Sequence, residues 1–110
     1  MAALTLGEFE QVVLLSILRL GDKAYGVSIR EEISACTDRA PSPGSLYTTL
    51  DRLEERGLVT SRFGDPTPER GGRAKRYFQV SPAGVEAVAR VQRGYQRLLD
   101  GIRLPGVSHA

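Results

Sequence analysis

The sequence predicts a mainly α-helical fold with one small β-hairpin. Apolar residues recur at helical spacing in four segments, and they alternate with polar residues in two short segments between the third and fourth. Proline follows serine at Ser42-Pro43 and Ser81-Pro82, where a hydroxyl can cap a helix whose first turn contains the proline. With 110 residues, 41% of them hydrophobic, the chain can bury one core.

Two helices are expected in the first third of the chain. The first runs from Gly7 to Leu20 and is apolar almost all round, so we expect it to be the central buried helix. Thr5 is its expected cap, with Glu8 as the capping-box partner. The second follows Tyr25-Gly26 and ends at about Cys36, the single cysteine, which we expect to be a small buried side chain. Its expected apolar members are Val27, Ile29, Ile33 and Ala35.

The third helix is expected to start at Ser42-Pro43 and to stop at Gly57, with Leu46, Leu50 and Leu53 as its buried stripe. Two strands, Leu58 to Phe63 and Lys75 to Val80, then flank a loop from Gly64 to Arg73. The last helix starts at Ser81-Pro82 and should reach about Ile102. The second and third helices form a helix-turn-helix, and the hairpin after them is the wing of a winged helix. We therefore expect a winged-helix domain at 1–80, an additional helix at 81–104 packed on it, and a flexible tail at 105–110.

Positive charge is concentrated in the wing. Although the net charge is only +2, the segment 69–76 sets Arg70, Arg73, Lys75 and Arg76 against Glu69 alone. Glycines in this segment let the backbone approach a surface closely, and arginines suit the minor groove or the flanking phosphates of DNA. The alternative is a solvated charged turn.

The third helix has a polar outer face suited to reading base edges. Hydroxyls and arginine can hydrogen-bond bases or phosphates, and a threonine methyl can contact thymine. Tyr25, at the start of the second helix, would donate to a phosphate or else pack between the first two helices. With the wing, the candidate DNA-binding residues are Tyr25, Ser42, Ser45, Thr48, Thr49, Arg52, Arg70, Arg73, Lys75 and Arg76.

These motifs together resemble the PadR family of bacterial transcriptional regulators, over about residues 6–100. The resemblance rests on Leu6-Gly7-Glu8, Tyr25-Gly26, Ser42-Pro43-Gly44-Ser45-Leu46-Tyr47, Gly57-Leu58-Val59, the run Gly72 to Phe78, and Ser81-Pro82-Ala83-Gly84. It implies a winged helix with a C-terminal dimerisation helix, in a protein that usually acts as a repressor. It also implies that Tyr47 contacts DNA. Thr48 stands where many members have proline, and the short chain resembles the subfamily without an extended effector domain. The chain has no tryptophan, the residue with which some short members sandwich drugs.

The last helix is expected to pair two copies of the chain, because its apolar residues follow alternating steps of three and four. The expected dimer interface consists of Val85, Val88, Gln92, Tyr95, Leu99 and Ile102. A small aromatic effector would bind in a pocket between the subunits, for which the alternative is plain dimer core. The candidate pocket residues are Phe9, Val12, Val13, Val88, Val91, Gln92 and Tyr95.

Other classes of function are disfavoured. The single histidine, His109, lies in the tail, no catalytic set can be assembled, and no metal or cofactor motif is present. No segment has the length of a membrane span, and the N-terminus lacks a signal peptide, so we expect a cytoplasmic protein. The alternative to a DNA-binding dimer is a winged helix that binds protein and not DNA, and the arginine-rich wing argues against it.

Overall fold

The elements of the fold follow the predicted order. The computed structural model describes residues 5–64 and 74–106. The helices are α1 (Glu8–Leu20), α2 (Gly26–Cys36), α3 (Pro43–Glu55) and α4 (Pro82–Leu99), and a 3-10 turn (Gly21–Lys23) follows α1. Strands β1 (Val59–Phe63) and β2 (Arg76–Val80) lie between α3 and α4. The prediction of a mainly helical fold with one hairpin is therefore confirmed.

Serine caps start α3 and α4 as predicted. The hydroxyl of Ser42 accepts a hydrogen bond from the backbone N–H of Ser45, and that of Ser81 accepts one from Gly84, both at 3.1 Å. The cap predicted for α1 is wrong, because Gly7 caps this helix and donates its N–H to the Glu10 carboxylate at 2.8 Å. The helix therefore starts two residues later than a Thr5 cap would place it.

The end of α3 is fixed by Gly57, which has a φ of 74°. The N–H of Leu58 bonds to the carbonyl of Leu53 at 2.9 Å, and that of Gly57 bonds to the carbonyl of Glu54 at 3.0 Å. This pair of bonds is a Schellman motif, and its two leucines are fully buried. The motif turns the chain directly from α3 into β1.

The core lies where α1, α2, α3 and the hairpin meet. Its members include Val13, Leu14 and Ile17 of α1, Ile29 and Ile33 of α2, Leu46, Leu50 and Leu53 of α3, and Phe78 and Val80 of β2.

Several residues expected in the core are exposed. Helix α1 is not buried all round, because Leu15 and Leu18 are 38% and 45% exposed. In α2 only one face meets the core, so Val27, Ala35 and Cys36 are exposed, contrary to prediction.

The hairpin is antiparallel, with Val59 opposite Val80 and Phe63 opposite Arg76. Phe78 and Val80 are buried while Gln79 is exposed, which is the alternation of a strand with one face on the core. An isolated β-bridge joins the start of α2 to this hairpin, because Tyr25 pairs with Tyr77 and the N–H of Phe78 bonds to the carbonyl of Ala24 at 2.8 Å. The predicted loop residues Arg70 and Arg73 lie outside the described part of the chain.

Helix α4 is shorter than predicted. It ends at Leu99, with Asp100 as its cap residue and Gly101 at a φ of 82°, so Ile102 lies beyond the helix. Across the described ranges 5–64 and 74–106, none of the helices combines the length and apolar character needed to cross a membrane.

Candidate nucleic-acid interface

The outer face of α3 presents polar side chains to solvent. Ser45, Tyr47, Thr48 and Arg52 are all exposed, as the prediction requires. Thr49 is not on this face. It is 7% exposed, and its hydroxyl donates to the carbonyl of Ser45 at 3.0 Å.

The prediction for Thr49 is wrong because of helix geometry. Position 49 follows Leu46 by three residues and precedes Leu53 by four, so it lies on the same face as the buried leucines. Helical spacing alone is therefore enough to predict that Thr49 is buried. Thr49 is removed from the candidate base-reading residues.

The first turn of α3 holds two serine hydroxyls close together. That of Ser42 is used in the cap, and that of Ser45 donates to the carbonyl of Ser42 at 3.2 Å. Ser42 and Gly44 are exposed, so this end of the helix is open to solvent. An anion placed here would meet the positive end of the helix dipole.

Tyr47 joins the two helices of the helix-turn-helix. Its ring lies against Gly26, at the start of α2, and a Cβ at position 26 would stand 2.1 Å from the Tyr47 hydroxyl oxygen and 2.8 Å from Cζ. Gly26 therefore leaves the space that the phenol occupies. The side chain of Tyr47 is still 39% exposed, so one edge remains available. Sequence reasoning missed this role of Gly26, since the two residues are far apart along the chain.

Tyr25 packs against the wing, and not between the first two helices. Its ring meets that of Tyr77 edge-to-face, with 5.7 Å between ring centres. The Lys75 ammonium lies 4.3 Å from the centre of the Tyr25 ring, and the Arg62 guanidinium lies 5.0 Å from that of Tyr77. We call these four residues, Tyr25, Arg62, Lys75 and Tyr77, the tyrosine–cation cluster. It joins the start of α2 to the base of the hairpin.

Two cations of this cluster, Arg62 and Lys75, have no carboxylate partner among the described residues. Within the ranges 5–64 and 74–106, no carboxylate forms a salt bridge with Arg62, Lys75 or the exposed Arg52 of α3. Sequence reasoning singled out Lys75 and Arg52 but missed Arg62. In the hairpin, Arg62 of β1 lies opposite Tyr77 of β2. This pairing is the signal from which the position of Arg62 could have been predicted.

Arg76 is placed differently from Lys75. Its guanidinium bonds to the Glu54 carboxylate at 2.6 Å and to the Ser61 hydroxyl at 3.2 Å, and it lies 3.4 Å from Asp51. The charge of Arg76 is thus already paired with carboxylates of α3. This arrangement contradicts its assignment as a free phosphate ligand.

The residues predicted for the dimer interface differ in how exposed they are in the single chain. Val88 is only 6% exposed and packs into the core of its own chain, whereas Val85 and Tyr95 are 45% and 49% exposed. Leu98, which belongs to the same apolar stripe but not to the six predicted interface residues, is 75% exposed. Gln92 is also exposed, and Leu99 is half-buried.

The residues proposed to line an effector pocket between subunits differ in their exposure. Val13 is fully buried and Val88 nearly so, which makes them unsuitable as lining residues. Phe9 and Val12 pack partly against the core, and Val91 is half-buried. A cavity of about 380 Å³ lies elsewhere, between the end of α1 and the hairpin.

Cys36 belongs to a small polar group on the surface. Its thiol donates to the Glu32 carboxylate at 3.3 Å, which also accepts from Arg19 at 2.7 Å. The hydrogen bond from Arg19, with a smaller contribution from Cys36, lowers the pKa of Glu32. The same bond raises the pKa of Arg19. In the part of the chain that the structure describes, no three metal-binding side chains cluster together.

Comparison with known proteins links this geometry to regulators of transcription. Residues 14–90 match the family described as "Transcriptional regulator PadR-like family". The chain is 37% identical, over 90 residues, to Transcriptional regulator Rv3488 of Mycobacterium tuberculosis, covering 80% of this chain and 77% of that protein.

Solved structures show the same fold. A PadR family transcription regulator from Clostridium difficile R20291 superposes with a TM-score of 0.67 at 19% identity, covering 82% of this chain and 90% of its own. A transcriptional regulator from Clostridium thermocellum gives 0.66 at 22% identity, covering 82% and 84%. The winged-helix architecture expected from the element order is therefore confirmed.

Proposed function

Since the chain belongs to the PadR-like family of transcriptional regulators, we propose that it binds a pseudo-palindromic DNA operator as a homodimer and represses transcription. One observation carries the proposal: the exposed polar face of α3 lies beside a hairpin whose cations Arg62 and Lys75 have no carboxylate partner among the described residues. The proposed activity takes place in the cytoplasm and involves neither catalysis nor a cofactor.

Base reading is assigned to α3 in the major groove. Ser45, Thr48 and Arg52 supply hydrogen-bonding groups on the exposed face, and the open edge of Tyr47 adds a further contact. Ser42, at the helix start, contacts a phosphate through its exposed hydroxyl while its lone pair caps the helix.

The wing supplies sequence-independent affinity. Lys75 and Arg62 sit over tyrosine rings, so they are held near the surface with their charge available to phosphates. Arg70 and Arg73 of the wing tip are proposed to bind the same backbone or the minor groove. Tyr25 supports Lys75 and contributes its hydroxyl to a phosphate.

Dimerisation is assigned to α4. Val85, Tyr95 and Leu98 are large apolar side chains left exposed by the single chain, and burying apolar area is worth about 25 cal/mol per Å². Two-fold pairing would place the recognition helices about 34–36 Å apart, or a multiple of this distance. A small aromatic effector is proposed to bind between the subunits, beside Phe9, Gln92 and Tyr95.

Fluorescence anisotropy on labelled duplexes tests DNA binding. Footprinting of the DNA upstream of the chain's own gene first identifies the operator, and a scrambled duplex of equal length serves for comparison. The Arg52→Ala variant should lose about 1–3 kcal/mol on the operator and much less on the scrambled duplex. Equal losses on both would remove Arg52 from the base-reading set.

The salt dependence of the same binding tests the wing. The Arg62→Ala/Lys75→Ala variant should flatten the slope of log K against log salt by about one unit for each lost phosphate contact. Arg93→Ala is the matched control, because Arg93 pairs with Glu86 on α4 at 3.0 Å. A wild-type protein whose retention on duplex DNA does not weaken with salt would contradict DNA binding and favour protein recognition by the winged helix.

Sedimentation analysis tests the dimer. Leu98→Glu places a charge on the exposed apolar surface of α4, so it should yield monomers that bind the operator far more weakly but still fold. Intact protein that stays monomeric at tens of micromolar and binds its operator tightly would overturn the assignment of α4.

A further inference from the structure

A polar network joins the first residue of β2 to α3. The Arg76 guanidinium bonds to the Glu54 carboxylate at 2.6 Å through one terminal nitrogen and lies 3.4 Å from Asp51 through the other. Its Nε donates to the Ser61 hydroxyl at 3.2 Å, and that hydroxyl also lies 2.9 Å from the second Glu54 oxygen. The network thus includes both strands of the hairpin and the recognition helix.

The surroundings of Arg76 restrict its motion. The guanidinium lies 4.8 Å from the centre of the Phe78 ring, which is buried in the core, and the Arg76 side chain is only 29% exposed. A cation held by two carboxylates and an aromatic face cannot swing out to a phosphate without leaving those carboxylates unpaired. Arg76 is therefore suited to a role between two parts of the protein.

We propose that Arg76 is a positioning residue that fixes the wing against the recognition helix by pairing with Glu54, and that it does not itself bind DNA. This inference rests on the proposed function, because the orientation matters only if α3 and the wing engage the same duplex. With the pair in place, the cluster cations Arg62 and Lys75 are held at a fixed offset from the reading face of α3. The pair also neutralises acidic charge that would otherwise face the DNA phosphates.

A charge swap distinguishes positioning from direct contact. Arg76→Glu alone should weaken operator binding at least about tenfold, because it sets like charges against each other between the wing and α3. Adding Glu54→Arg rebuilds the pair with its polarity reversed and should restore binding to within about threefold of wild type. If Arg76 binds a phosphate directly, a glutamate at position 76 repels it, and the double variant stays as weak as Arg76→Glu.

The control for net charge is Arg76→Glu/Glu31→Arg. It has the same formal charge as the swapped pair, but Glu31 is exposed on α2, outside the network. Recovery by this variant equal to that of the swapped pair would overturn the proposal, because it would show that only total charge matters.

Amide hydrogen exchange of the free protein gives a second readout that needs no DNA. Protection of the β1 and β2 amides should fall in Arg76→Glu and return in Arg76→Glu/Glu54→Arg, but not in the Glu31 control. Failure of the wild-type protein to bind any duplex would refute the proposed function, while the exchange data would still decide whether the pair holds the wing. Unchanged hairpin protection in Arg76→Glu would refute the positioning role.

Discussion

Replacing Gly84 by alanine should destabilise the protein, although alanine favours helices. Gly84 lies in the first turn of α4, where a Cβ would stand 2.2 Å from the carbonyl oxygen of Leu58 and 2.7 Å from a methyl of Val80. The first of these atoms belongs to the backbone and cannot rotate away. The same carbonyl accepts the N–H of Ser81 at 3.0 Å. The start of α4 must therefore move away from the base of the hairpin, which strains that bond.

The size of the effect follows from opposing contributions. Alanine in place of glycine gains about 1 kcal/mol in helix propensity. Overpacking costs about 1–3 kcal/mol, and loss of the Ser81 hydrogen bond costs about 1 kcal/mol more. We expect Gly84→Ala to lower the free energy of unfolding by about 2 kcal/mol, which corresponds to about 10 °C in Tm for a domain of this size.

The matched control is Gly94→Ala in the same helix. Among the described residues, a Cβ at position 94 would meet no atom within 4 Å apart from its immediate neighbours and its own turn of helix, so the propensity gain should raise stability by about 0.5–1 kcal/mol. Urea denaturation of wild type and the two variants at one fixed concentration compares their stabilities, since the stability of the proposed dimer would depend on concentration. If Gly84→Ala is as stable as Gly94→Ala, the argument that the nearby Leu58 carbonyl requires glycine at position 84 is refuted.

Three further changes test other parts of the structure. Gly26→Ala should displace the Tyr47 ring and weaken operator binding about tenfold while stability changes by less than about 1.5 kcal/mol; unchanged anisotropy titrations would show that this ring position is irrelevant to DNA. Ser42→Ala should cost about 1 kcal/mol in urea denaturation, whereas Ser42→Asp keeps the cap but weakens DNA binding; equal stability of all three proteins would exclude the cap. Arg19 lowers the pKa of Glu32 in the folded protein. The pair therefore stabilises the fold at pH values above the pKa that Glu32 has in the unfolded chain, and this stabilisation is lost as the pH falls through the pKa of Glu32 in the folded protein. Glu32→Gln should therefore reduce the loss of stability on acidification, and an unchanged pH profile would contradict this.

The helix boundaries that sequence reasoning placed well depend on local chemistry. Ser42 and Ser81 cap their helices through bonds to residues three positions ahead, and Gly57 stops α3 through bonds within one turn. A pattern of neighbouring residues contains all the information for such features. The failed cap at Thr5 was also local, but the Glu10 carboxylate accepts the N–H of Gly7 and so fixes the start of the helix two residues later.

The features that sequence reasoning missed depend on partners far along the chain. Arg76 looked like one more basic wing residue, but its carboxylate partners lie 22 and 25 residues earlier. Packing between the first two helices was one of the two alternatives for Tyr25, yet the isolated β-bridge beside Ala24 brings it to Tyr77. Composition predicts that the wing is basic, but only the fold decides which cations are already paired.

The apolar stripe predicted for α4 is only partly buried within one chain. Its first turns are fixed to the hairpin base by Ser81 and Gly84, so Val88 packs into the core of its own chain. Farther along, the helix extends past that core, and Tyr95 and Leu98 are left uncovered. The opposite side of the helix is already occupied by ion pairs around Glu86, which reaches Arg93 at 3.0 Å and Arg90 at 3.9 Å. Because charges are arranged on one side and apolar surface on the other, the dimer proposed above would bury that surface against a second copy of α4 and pair two recognition helices on one operator.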